Sequence, residues 1–304
     1  MTDIANIEIL ITKNSLVSKL SLIAEISKVK ITVLVSLSTA LGYILAAQNI
    51  SITLFYSVFG IFLIACSASA LNQYQESDKD NLMGRTKNRP IPSGRASENF
   101  VFNASMFFLI SGSVVLYFLV NFDCLFIALL TMLWYNAVYT PLKRKWAYAI
   151  IPGSLVGALP PIAGWVGAGG SWSDIHIYFV ALYFFIWQIP HFWLLFILYG
   201  KEYQSAGFPV PENLLSGNKF KGIIFKLNII TICMTIILAF SGIMHSGIGV
   251  VILISLSYVL LYNSIEFLKS DTNRKNTVKM FVKINMHTLL LIIFLSFDKL
   301  INIF

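Results

Sequence analysis

Nine long apolar runs constrain this chain more than any other feature. They cover residues 31–50, 52–72, 100–120, 123–140, 149–168, 175–199, 222–241, 246–268 and 280–303. Each approaches the roughly 20 residues that a helix needs to cross a hydrocarbon core about 30 Å thick. No water serves the backbone inside that core, so each run must be helical to satisfy its own N–H and C=O groups. Composition agrees: 57% of the 304 residues are hydrophobic and 12% are charged, against roughly a quarter charged in an ordinary soluble domain. The expected fold class is all-α, a polytopic membrane protein of nine spans. No low-complexity linker divides residues 1–304, so a single domain is expected.

The net charge of +8 would suit a nucleic-acid partner, but the placement of the basic residues argues for a topological origin. Lys and Arg fall before the first run, between runs two and three and runs four and five, between or just after six and seven, and between or at the edges of eight and nine. Only Lys299 lies at the opposite end, and the turns near 48–52, 121–123, 169–174 and 242–246 carry none. By the positive-inside rule the N-terminus is cytoplasmic and the C-terminus lies outside, with no nucleic acid implied. The first 30 residues hold Asp3, Glu8 and Glu25 and no Arg, and they lack a secretory apolar stretch. That pattern predicts a prokaryotic cytoplasmic (inner) membrane, with the lipid bilayer as solvent. Within 1–30, Leu16, Leu20, Ile23 and Ile26 form one stripe beside Lys19, Lys28 and Lys30, which predicts an interfacial helix over 15–30. Cys66, Cys124 and Cys233 fall singly inside runs, without the spacing of a disulfide framework or zinc site.

The densest polar stretch, NQYQESDKDNLMGRTKNRPIPSGR (residues 72–95), joins runs two and three. On a helix Asn72, Glu76 and Asp80 form one stripe, whereas Asp78 points away. A carboxamide and two carboxylates suit a hard cation such as Mg²⁺, which takes few carboxylates and completes its shell with phosphate and water. Arg85, Lys87, Arg89 and Arg95 follow at once, donors that match phosphate oxygens. Together they make a clamp for a diphosphate; the plainer alternative is a solvated positive-inside loop. Lys143 and Arg144, after Asn136 and Tyr139, are likewise either topology signals or anion contacts. In run five, Gly153, Gly157, Gly164 and Gly167 surround Pro160 and Pro161, which predicts close helix packing and a bend, with cavity lining as the other reading. A transporter would place ionisable residues at mid-depth on interrupted helices; here the cluster sits at one membrane face.

The 72–95 stretch resembles the first signature of the intramembrane aromatic prenyltransferase superfamily, and more closely its heme farnesyltransferase branch. YTPLKRKW with IIPGSLVGALPPIAGW, WQIPHFW leading to KEYQSAGFPV, and FVKINMHTLLLIIFLSFD also match that branch, so the resemblance spans nearly the whole chain. It implies nine helices around a central cavity, with the active site on the cytoplasmic side. It implies transfer of farnesyl from farnesyl diphosphate to a heme b vinyl group, with Mg²⁺ as cofactor. A quinone-precursor prenyltransferase, acting for instance on a hydroxybenzoate, is the alternative; it shares Asn72, Glu76 and Asp80 but has less reason for the other stretches. By the same resemblance Asn72, Glu76, Asp80, Arg85 and Arg89 are the catalytic set; Lys87 is a further diphosphate contact by its charge, and Lys143 and Arg144, if not topology signals, would meet the diphosphate or a heme propionate. Glu202 matches a metal-binding position, although no carboxylate follows four residues later. His191, Tyr139 and His287 are candidates for heme contact, with helix–helix hydrogen bonding the alternative for the histidines. A heme A synthase or a terminal oxidase would receive the product.

Overall fold

The computed structural model describes residues 19–211 and 217–303. Among them, nine helices are long and apolar enough to cross a membrane: α1 (Val29–Ala46), α2 (Ile52–Gln75), α3 (Glu98–Leu119), α4 (Phe122–Leu142), α5 (Ile150–Gly167), α6 (Ile175–Ser205), α7 (Lys219–Phe240), α8 (Gly247–Lys269) and α9 (Arg274–Ile303). No strand occurs among the described residues. Two helices outrun their apolar runs. α6 continues to Ser205 and α9 begins at Arg274, because a charge ends hydrophobicity without breaking the i→i−4 hydrogen-bond ladder.

The even-numbered helices begin at the tight turns, each with a side chain that satisfies an otherwise orphaned backbone N–H. Ser51 accepts from Thr53 N, Asn121 from Cys124 N, Asp174 from His176 N and Ser246 from Gly249 N. Asp298 of α9 reinforces the last of these starts, accepting from His245 N at 2.7 Å, from Ser246 N at 3.2 Å and from the Ser246 hydroxyl.

Successive helices pack side by side from α1 to α9, and α9 returns to α1, so the helices form a closed ring. α1 also packs closely on α5. There a Cβ at Gly42 would run into the Pro161 carbonyl, and one at Gly164 into the Thr39 carbonyl. The absent side chains are what let the two backbones touch. Pro160 and Pro161 lie within the helix Leu155–Gly167, and the interruption of α5 falls upstream at Ser154 rather than at the proline pair. Residues 19–26 are helical; Leu16 of the predicted interfacial stripe lies outside the described residues. The chain turns into α1 at Lys28, whose φ of 47° makes it the one non-glycine residue with positive φ among those described.

Candidate active site

A cavity opens at the end of the bundle that carries the long basic loops, walled by α1, α2, α4, α5 and α6. It encloses about 330 Å³ of space, within the size range of a ligand pocket. The mouth is polar and the depths are apolar.

α2 ends at Gln75, Glu76 breaks the helix at φ −112°, and Ser77–Asp80 form one further turn. The predicted stripe therefore bends, yet Asn72, Glu76 and Asp80 all line the cavity. Their exposures are 2%, 4% and 1%, and carboxylates so buried require partners. Arg89 Nη1 lies 2.6 Å from Asp80 Oδ2, and Lys143 Nζ lies 2.7 Å from Glu76. Lys28 Nζ donates to Asn72 Oδ1 at 3.2 Å. Asn72 Nδ2 donates to Glu76 Oε2 at 3.0 Å and to Thr140 Oγ1 at 3.2 Å, which fixes the carboxamide with its oxygen toward Lys28. Asp78 faces away, as the helical stripe requires, and pairs with Arg144.

The residues at the mouth fit a hard cation. Both carboxylate oxygens of Glu76 lie 2.7 Å from Lys143 Nζ, so the lysine ammonium stands where a cation's charge is called for. Among the described residues no cluster of three or more His, Cys, Asp or Glu occurs, so two carboxylates and a carboxamide are the donor set. That is the sparse set suited to Mg²⁺, whose remaining positions go to substrate oxygens and water.

α4 contributes through a π-helical segment, Trp134–Tyr139, a local widening often found at functional sites. Asn136 Nδ2 anchors it to the Ala68 carbonyl and to Gln75 Oε1, each at 3.1 Å. Tyr135, Tyr139 and Lys143 then line the cavity, the two rings stacked at 5.9 Å. Over the mouth, the loop after Asp80 latches onto the end of α6. The Arg85 guanidinium lies 4.7 Å over the Tyr199 ring and donates to Tyr203 Oη at 3.0 Å. Lys79 Nζ donates to the Ala206 carbonyl.

Five expected site residues lie elsewhere. Glu202 accepts from Arg85 N at 2.9 Å; its carboxylate fastens the loop after Asp80 to the end of α6 and does not join the cavity wall. Arg144 grips Asp78 at 2.8 and 3.1 Å and donates to the Gln75 carbonyl, which caps α2. Lys87 is exposed and outside the wall. His191 Nδ1 meets Asn285 Oδ1 of α9 at 2.8 Å, and His287 Nε2 meets Thr235 Oγ1 of α7 at 3.1 Å. Both imidazoles serve helix–helix contacts: α6 turns Gln188, Phe192, Leu195 and Phe196 to the cavity in place of His191, and α9 does not reach its wall. Conversely, Lys28 was read only as a charge beside an interfacial helix. It lines the cavity, where burial, and then the charge of Arg89, pull its ammonium down to about 7. A lysine at the junction with an apolar run was the available signal, but snorkelling gives the same pattern.

The profile of the UbiA prenyltransferase family matches residues 35–289. The chain belongs to the UbiA prenyltransferase family. Protoheme IX farnesyltransferase of Christiangramia forsetii is 32% identical over 95% of this chain and 97% of its own length. Protoheme IX farnesyltransferase of Oleidesulfovibrio alaskensis is 34% identical over 62% of this chain and 67% of its own. The structure of a UbiA homolog from Archaeoglobus fulgidus bound to GPP and Mg²⁺ superposes with a TM-score of 0.68 at 14% identity, covering 91% of this chain and 99% of that one. At that identity the likeness concerns the fold alone. The UbiA fold thus accounts for the ring of helices and the cavity within it.

Proposed function

We propose that this UbiA-family enzyme joins farnesyl diphosphate, heme b and water to give heme O and diphosphate. The observation that carries this reading is a polar mouth with two buried carboxylates above an apolar cavity, on a chain resembling protoheme IX farnesyltransferase along its whole length. Asn72, Glu76 and Asp80 are the residues that would hold Mg²⁺, which when bound neutralises diphosphate charge. Lys28, Arg89 and Lys143 stand at the same mouth and, with Arg85, donate to the oxygens of the departing diphosphate. The allylic C–O bond breaks with its electron pair leaving on that diphosphate. The resulting allylic cation lies below in a space that excludes bulk water, beside the faces of Tyr135 and Tyr139. A vinyl carbon of heme b attacks its C1, and water adds to the cation left on the porphyrin side chain and loses a proton.

The nine helices sit in a bacterial cytoplasmic membrane with the basic loops inside and the C-terminus outside, and the product passes to a heme A synthase or a terminal oxidase. The test incubates purified protein with farnesyl diphosphate, Mg²⁺ and equal heme b and 4-hydroxybenzoate. Mass spectrometry should find the hydroxyethylfarnesyl heme; farnesylated hydroxybenzoate alone would move the assignment to a quinone-precursor enzyme.

A further inference from the structure

The cavity has a floor, and its depth is a length. Along α2 the wall runs from Asn72 down to Ile61, and along α4 from Tyr139 down to Ala128. Each interval is 11 residues, about 16 Å at the rise of an α-helix. One turn lower the bundle is closed. Ser57 and Cys124 are fully buried, and Gly167 of α5 fills the space between them, where even a Cβ would lie 3.0 Å from Ser57 Oγ and 3.4 Å from Cys124 Sγ. On the remaining side α1 and α5 meet backbone to backbone at Gly42 and Gly164, below the last wall residues Val35 and Pro160.

An isoprene unit contributes four main-chain carbons, about 5 Å when extended at ordinary carbon–carbon bond lengths. Three units therefore span about 15 Å and four about 20 Å. With the diphosphate at the level of Asn72, a third unit ends at Ile61 and a fourth would run into it.

We infer that Ile61 and Ala128 form a stop that measures the isoprenoid, accepting a 15-carbon chain and rejecting a 20-carbon one. This rests on the reading that the cavity takes an allylic diphosphate. One methylene too many or too few in an apolar pocket changes discrimination by about 10- to 200-fold, so a misfit of a whole unit is decisive.

The test uses the full-length protein and two opposed variants, Ile61→Ala to lower the floor and Ala128→Phe to raise it. Non-hydrolysable thiolodiphosphates of 10, 15 and 20 carbons are titrated in Mg²⁺ buffer, and turnover with heme b is measured for competing diphosphates of the same lengths. Ile61→Ala should raise the 20-to-15 preference at least about tenfold, and Ala128→Phe should raise the 10-to-15 preference by as much. Preferences unchanged in whichever variants fold, with Ile61→Val as the milder floor change, would overturn the stop and mean that the chain leaves the cavity sideways. Length-dependent binding without any heme product would instead overturn the acceptor assignment and leave the stop standing.

Discussion

Asp80 is buried against Arg89 at the mouth of the cavity, so Asp80→Asn removes a charge without changing volume. Heme O formation should fall at least about 100-fold, in keeping with the loss of a charge-stabilising group. Extraction and gel-filtration behaviour should match the parent; full activity would remove Asp80 from the metal site. Lys28 makes a second, opposed prediction. Its left-handed backbone costs on the order of 1 kcal/mol in any residue but glycine. Lys28→Gly should therefore melt at a higher temperature while binding farnesyl diphosphate about tenfold more weakly through loss of a charged donor. Asn72, Glu76 and Asp80 could be found from spacing alone, because side chains four residues apart on a helix share a face. The partners could not: Lys28, Lys143 and Arg89 reach those oxygens from other segments, and no spacing rule connects residue 28 to residue 72.

Helix contacts decide the fate of the remaining candidates. Gly164 lets α5 touch the backbone of α1, so Gly164→Leu must push the helices apart, at a cost of about 1–3 kcal/mol or more. The readout is thermal unfolding in detergent, and an unchanged melting temperature would contradict the close approach. Asp298→Ala should cost about 1–3 kcal/mol by leaving the start of α8 without its acceptor, measured the same way. His191 and His287 teach the converse. An intramembrane histidine looks functional in sequence, but which wall of a helix faces the cavity depends on its rotation against its neighbours. Here rotation gives His191 to Asn285 and His287 to Thr235. Likewise the helix runs through Pro160 and Pro161, and its interruption lies at Ser154.

For the whole molecule, removing divalent cations with EDTA should abolish turnover and leave the helical circular-dichroism signal unchanged, because direct helix–helix packing holds the ring together; loss of helix would mean that the cation is structural. Cysteines placed singly in the basic loops should react with impermeant thiol reagents only from the cytoplasmic face. Sequence by itself determined that the described residues form nine membrane-length helices, since a hydrocarbon solvent leaves a backbone no alternative to the helix. It also determined the acidic stripe, although the helix breaks at Glu76 and Asp80 stands on the following turn. Only the tertiary structure decided which cations meet that stripe, that Glu202 and Arg144 brace the ends of α6 and α2 instead of walling the cavity, and where the floor lies. Those outcomes depend on how helices far apart in the chain are rotated and brought together, and local periodicity does not encode that.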